Sequence, residues 1–240
     1  MKVLIDRPAL DLTFRTLLSC KCPATDKEER GVFDLLSRMR EGDTLDYGRV
    51  LRVFKQNPDN VFRRLHDFAL WMAPAAAAQF IITRDNVIRH FASSFHWHQV
   101  VADGMTSAYE KVLFVPSWFM GHMLLPVRVT RVHGEAVAAV YEYEDGSIQL
   151  TNLFAPNAYE PKVGEKWAVH FAALLDRISA EEDDLVRMLT ETNPLLVQFR
   201  KDVQGVDYKS FERHGDYLAI CKKRYATYYR QSADKAGSMH

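Results

Sequence analysis

The chain has 240 residues, 48% of them hydrophobic, and its 31 Lys plus Arg balance 31 Asp plus Glu. That size and apolar content suit a globular core, and zero net charge removes any whole-chain electrostatic case for nucleic acid or an anionic membrane, so such a case must come from local clusters. The three cysteines, Cys20, Cys22 and Cys221, are odd in number and lack C-x-x-C spacing, which fits free thiols in a reducing compartment.

In chain order, Met1-Lys2-Val3-Leu4-Ile5-Asp6 offers too short an apolar run for a signal peptide. Lys2 to Leu18 reads as a short strand and turn, then a second apolar piece beyond Pro8. Lys27 to Arg40 spaces Val32, Leu35, Leu36 and Met39 as a helix face, with Gly42 placed to end it. A second helix, Asp46 to Gln56, buries Tyr47, Val50, Leu51 and Phe54 and carries Arg49, Arg52 and Lys55 on its other side. Asn57-Pro58-Asp59 signals a third, with Val61, Leu65, Phe68 and Met72 inward and Arg63, Arg64 and His66 outward. The apolar stretch from Leu70 to Ile82 is broken by Pro74 and Gln79 and is too short to span a bilayer, so the expectation is a soluble, cytoplasmic protein without membrane contact. Phe80 to Thr83 suits a short strand and Asp85 to Ser93 a short helix.

Lys111 to Phe154 alternates apolar and polar residues around two Gly turns, Val132-His133-Gly134-Glu135 and Glu144-Asp145-Gly146-Ser147, the pattern of an antiparallel β-meander. Beyond it, Trp167, Phe171, Leu174, Leu175 and Ile178 line one face of a predicted helix from Glu165 to Ile178. Ser179 with Glu182 forms a capping box that opens another, and Asn193-Pro194 opens a third that ends near Gly205. From Asp207 a last helix puts Phe211, Leu218, Cys221, Tyr225 and Tyr228 on one face. The fold class is therefore α+β: one domain over residues 1–231, a central meander with helices before and after it, and a disordered tail from 232.

No nucleophile elbow, P-loop or dinucleotide-binding glycine motif occurs, so no enzyme class is indicated and no cofactor is implied. His96-Trp97-His98 with Asp103, and His90 upstream, begins like the first half of a cupin metal motif, since imidazoles two apart on a strand share a side. The second half is missing, and a metal-dependent enzyme stands only as the alternative. Glu181-Glu182-Asp183-Asp184 follows a capping Ser and is explained by the positive end of a helix dipole.

The pattern that carries most weight is cations interleaved with aromatics. Lys222, Lys223, Arg224 and Arg230 stand beside Tyr225, Tyr228 and Tyr229 with no acid between Tyr217 and Gln231. Cations track a phosphate backbone while planar rings stack on unpaired bases, which suits single strands better than duplexes. Arg49, Arg52, Arg63 and Arg64 form an auxiliary patch around Asn57-Pro58, a corner that a helix–turn–helix reader would also show. In its basic-aromatic C-terminus, Lys222-Lys223-Arg224-Tyr225 and Tyr228-Tyr229-Arg230, the chain resembles the single-stranded-DNA-binding RNA polymerase cofactors of lytic podoviruses. That resemblance implies a fold unlike the usual OB barrel, a cooperative single-strand binder and transcription regulator in the host cytoplasm, and an RNA polymerase partner. The expected function is sequence-tolerant binding of single-stranded DNA or RNA. An oligomeric adaptor joined through the C-terminal aromatic helix is the further alternative.

Overall fold

The computed structural model describes residues 1–19, 24–58, 60–93, 123–144, 146–156, 159–170, 173–192 and 215–230. Its class is α+β, and the chain divides into two compact units, Met1–Phe91 and Ala92–His240. Among the described residues no helix is long and apolar enough to cross a membrane.

In the first unit β1 (Lys2–Asp6) lies between β2 (Thr44–Asp46), antiparallel to it, and β3 (Gln79–Ile82), parallel to it. The helices are α1 (Arg7–Ser19), α2 (Asp26–Leu36), α3 (Tyr47–Val53), α4 (Val61–Met72) and α5 (Arg84–Ala92). Pro8 sits in the first turn of α1, where a missing N–H costs nothing, and Asp6 Oδ1 accepts from the Ala9 N–H at 2.8 Å. Buried polar residues are tolerated in α1 because Thr13 and Thr16 donate back to the carbonyls of Ala9 and Leu12 at 2.7 and 2.9 Å. A Thr25–Glu28 capping box opens α2, which stops at Leu36 and not at Arg40.

Helices α3 and α4 are fixed by their own side chains. Asp46 caps α3 by accepting from Gly48 N–H at 2.8 Å. The Tyr47 hydroxyl donates to the Phe62 carbonyl at 2.7 Å, and Phe54 stacks on Phe62 with centroids 5.2 Å apart, so α3 is held to α4 by its apolar side. The start of α4 is shifted from the expected Asn57-Pro58: Asn60 is the cap, accepting from Phe62 and Arg63 N–H, while its Nδ2 donates to Asn57 O. A side chain that satisfies two orphan amides and a turn carbonyl together outcompetes a start at Pro58.

In the second unit β4 (Leu125–His133), β5 (Ala136–Tyr143), β6 (Gly146–Phe154), β7 (Lys166–His170) and β8 (Ala173–Arg177) close into a barrel of order β4-β5-β6-β8-β7. All neighbours are antiparallel except β6 and β8, which run parallel through Phe154 and Ala173. The predicted meander supplies β4 to β6, while residues 111–122 of that stretch lie outside the described residues. Gly134, at φ 59°, makes the β4–β5 turn, a left-handed conformation that glycine adopts without strain. The barrel interior is filled by Leu125, Val127, Val129, Val137, Ala139, Tyr141, Ile148, Leu150, Leu153, Trp167, Val169 and Leu174. A register shift between Val137 and Ala139, opposite Leu153 and Leu150, puts one extra residue into β6 and flips its alternation. Leu153 therefore faces in and Phe154 out.

The predicted helix from Glu165 to Ile178 is corrected: the segment is the β7–β8 hairpin that completes the barrel. Its run Trp167-Ala168-Val169-His170 is buried at every position, so the period-two signal of a half-exposed strand vanishes. The capping box at Ser179–Glu182 is present and opens α6 (Ala180–Glu191). Asp183, 1% exposed, ties α6 to the barrel by accepting from Lys166 Nζ and from Arg187 Nε, while Arg187 Nη1 donates to the Glu142 carbonyl at 2.6 Å. The last element is α7 (Gly215–Tyr225), continued by a π-helical turn over Ala226–Arg230. The helix expected from Asn193-Pro194, the first part of the helix expected from Asp207, and the tail from 232 fall outside the described residues.

Candidate nucleic-acid interface

On α3 and the turn that follows it, the apolar side, Tyr47, Val50 and Phe54, is buried, while Arg49 and Arg52 on the helix and Lys55 in the turn are exposed at intervals of three. Helical pitch alone produces this division, since residues three apart share a face. Among the described residues none of these cations has an ion-pair partner, and Tyr47 to Pro58 contains no acid. A row of uncompensated cations on a short rigid element is a surface on which phosphates can settle, with each guanidinium able to hold two phosphate oxygens.

Across the turn, Arg63 is exposed but engaged by Asp67, with Nε 3.2 Å from Oδ1. Arg64, placed outward by sequence, is corrected: it is 7% exposed and lies within electrostatic reach of the fully buried His90, so it makes no surface phosphate contact. Burial, with a smaller contribution from that guanidinium, lowers the His90 pKa to about 3. Burial also lowers the pKa of His66, whose ring packs on Tyr47 at 5.4 Å, against an opposing pull from Asp67. Met72, expected inward, is 39% exposed beside Leu70 at 45% and Trp71 at 68%. The exposed side of α4 thus combines a paired arginine with apolar groups, which is not a base-reading surface for a duplex.

The C-terminal cluster is arranged differently from the expectation. Tyr225 and Tyr228 are 1% and 4% exposed, so their assignment as base platforms on an open surface is corrected: in this conformation neither ring can meet a base. Tyr225 meets Phe154 edge-on at 5.8 Å and lies 5.7 Å from Tyr229, whose ring meets Tyr159 at 6.4 Å. Spacing of three and four along a helix put these tyrosines on one face, and that face seats on the barrel. Lys222 Nζ lies 3.9 Å from Glu135 Oε2 and 5.5 Å above the Phe154 ring. Arg224 is half-buried and Lys223 exposed, while the side chain of Arg230 lies outside the described residues. The outward side of α7 shows Ile220, 53% exposed, with Lys223 and Thr227 beyond it, so its aromatic face is not offered to another chain.

Sequence reasoning missed the partners of this helix, Glu135, Phe154 and Tyr159. Phe154 was not readable because the bulge in β6 reverses the side on which it would otherwise fall. His96, His98 and Asp103, the alternative metal site, lie outside the described residues, as do Cys20 and Cys22, whereas Cys221 is fully buried. No family model, curated protein or solved structure matches the chain.

Proposed function

We propose that the protein binds nucleic acid with little sequence preference, single strands above all, and that Arg49, Arg52 and Lys55 hold the phosphates with Arg63 beside them. The observation that carries this reading is the α3 row: three exposed cations, without ion-pair partners among the described residues, on a segment free of acids. Phosphate contacts need only local positive charge, so the zero net charge of the chain is no obstacle. The apolar exposed side of α4 argues for backbone contacts over base reading in a major groove.

The second unit supports the preference for single strands. A meander of three strands followed by a hairpin that closes the barrel through a parallel pair is the Greek-key plan of the OB fold, whose second and third strands bind oligonucleotides. Those strands correspond here to β5 and β6. This support is an analogy of topology, and the chemistry is that of the side chains. The barrel is not the fold that the podoviral likeness implies, so the proposal does not rest on that likeness and names no polymerase partner.

Anisotropy titrations with a labelled oligothymidylate, its duplex counterpart and an RNA of equal length, each at several salt concentrations, test the proposal. Log affinity should fall linearly with log salt, with the single strand bound most tightly. Replacing Arg49, Arg52 and Lys55 together by Ala should lower the slope by about 2 and the affinity at physiological salt by about 50-fold. An unchanged slope in that variant would remove α3 from the interface.

A further inference from the structure

Phe154 poses a question that the phosphate row on α3 does not answer. It lies on the outer side of β6, outside the interior cluster, and yet is only 3% exposed. The cover is α7 with its π turn: the edge of Tyr225 meets the ring, the Lys222 ammonium lies over it, and Tyr229 continues the row towards Tyr159. These rings lie where β5 begins and β6 ends, on the two strands that oligonucleotide-binding barrels of this plan use. A row of aromatics along such a wall is what successive unpaired bases stack on.

The cover is held by side chains, and the ion pair from Lys222 to Glu135 is loose. Lys222 and Glu135 stand 3.9 Å apart with side chains 41% and 23% exposed, where water and salt weaken the attraction. The helix ends in a π turn, a rare geometry that recurs at functional sites. Its cations, Lys222, Lys223 and Arg224, occupy the last turn of α7 with no acid in the segment from Tyr217 to Gln231. A polyanion approaching them competes directly with Glu135 for Lys222.

Building on the nucleic-acid reading above, we infer that the C-terminal helix is a displaceable cover over a base-stacking site on the β5–β6 wall. Single-stranded nucleic acid takes Lys222 from Glu135 and the helix lifts. Phe154, Tyr225 and Tyr229 then become accessible to bases. Without ligand the covered state dominates because Cys221, Tyr225 and Tyr228 are buried in it, so the apparent affinity of the site is its intrinsic affinity scaled by the open fraction.

Hydrogen exchange over residues 215–230, followed with and without saturating oligothymidylate, tests the inference, with anisotropy reporting binding in the same samples. The expected result is that bound oligonucleotide speeds exchange of these amides by about tenfold. Glu135→Gln, which keeps the size of the side chain and drops its charge, should speed exchange without ligand and raise single-strand affinity by up to about fivefold. Oligonucleotide bound with exchange at 215–230 unchanged or slowed would overturn the cover while leaving the α3 phosphate site standing. Absence of any binding would overturn both.

Discussion

Two stretches of this chain look alike as strings and end differently in space. Tyr47 to Pro58 and Tyr217 to Gln231 both mix cations with aromatics and both lack acids. In the first, Tyr47 and Phe54 turn inward onto α4 and leave Arg49, Arg52 and Lys55 in solvent. In the second, the rings turn onto the barrel and draw Lys222 with them. The difference teaches that mixed composition says little until the helical phase is known. Cations out of phase with the aromatics stay exposed, and a cation adjacent to them in the contact face is spent on packing.

The sharpest way to break this contrast is Tyr225→Ala. If the ring is a packing residue of the second unit, its removal should cost about 3–5 kcal/mol in chemical denaturation, as for other buried aromatics. A loss below about 1 kcal/mol would mean that the helix contributes little to the fold, and the two stretches would then be alike after all.

Next in size is an acid effect that belongs to the first unit. His90 is buried between Phe68 and Phe91, with its pKa lowered to about 3 against an ordinary value near 6.5. Between those values the unfolded chain binds a proton that the folded chain refuses, so stability rises with pH and is lost as pH falls below 6.5. From pH 7 to pH 5 the first unit should lose about 2 kcal/mol, and His90→Phe should abolish this part of the dependence. A pH profile identical in the variant would refute the assignment.

The smallest effect sharpens the comparison. Lys223 is exposed on the outward side of α7, so Lys223→Ala should shift stability by less than about 0.5 kcal/mol. A larger loss would show that this side of the helix is buried by something in solution.

Most of the first unit was legible because its helices are amphipathic, although Gly42, expected to end α2, lies beyond a helix that stops at Leu36 with Ser37 as its cap. In the second unit the Ser179–Glu182 capping box stands as read. The α3 cations were legible for the same reason: their spacing of three sets them opposite Tyr47, Val50 and Phe54. Legibility failed where burial removed periodicity. Closing the barrel buries both sides of β7, so a strand reads as a continuous apolar run that a helix would also fit. It failed again at Asn57-Pro58, where two capping candidates stand three residues apart and Asn60 prevails by satisfying the Phe62 and Arg63 amides and the Asn57 carbonyl together. The C-terminal tyrosines were found as a group, but their side depended on Phe154, which a single inserted residue in β6 had moved out of phase.

That inserted residue has a mechanical consequence. Phe154 carries the parallel β6–β8 pairing with Ala173, the only pair recorded for that ladder among the described residues, and it also supports Tyr225. That ladder and the footing of the terminal helix therefore meet in one residue, the first through its backbone and the second through its ring. Loosening either should be felt by the other, so the wall would widen at Ala173 whenever the helix departs.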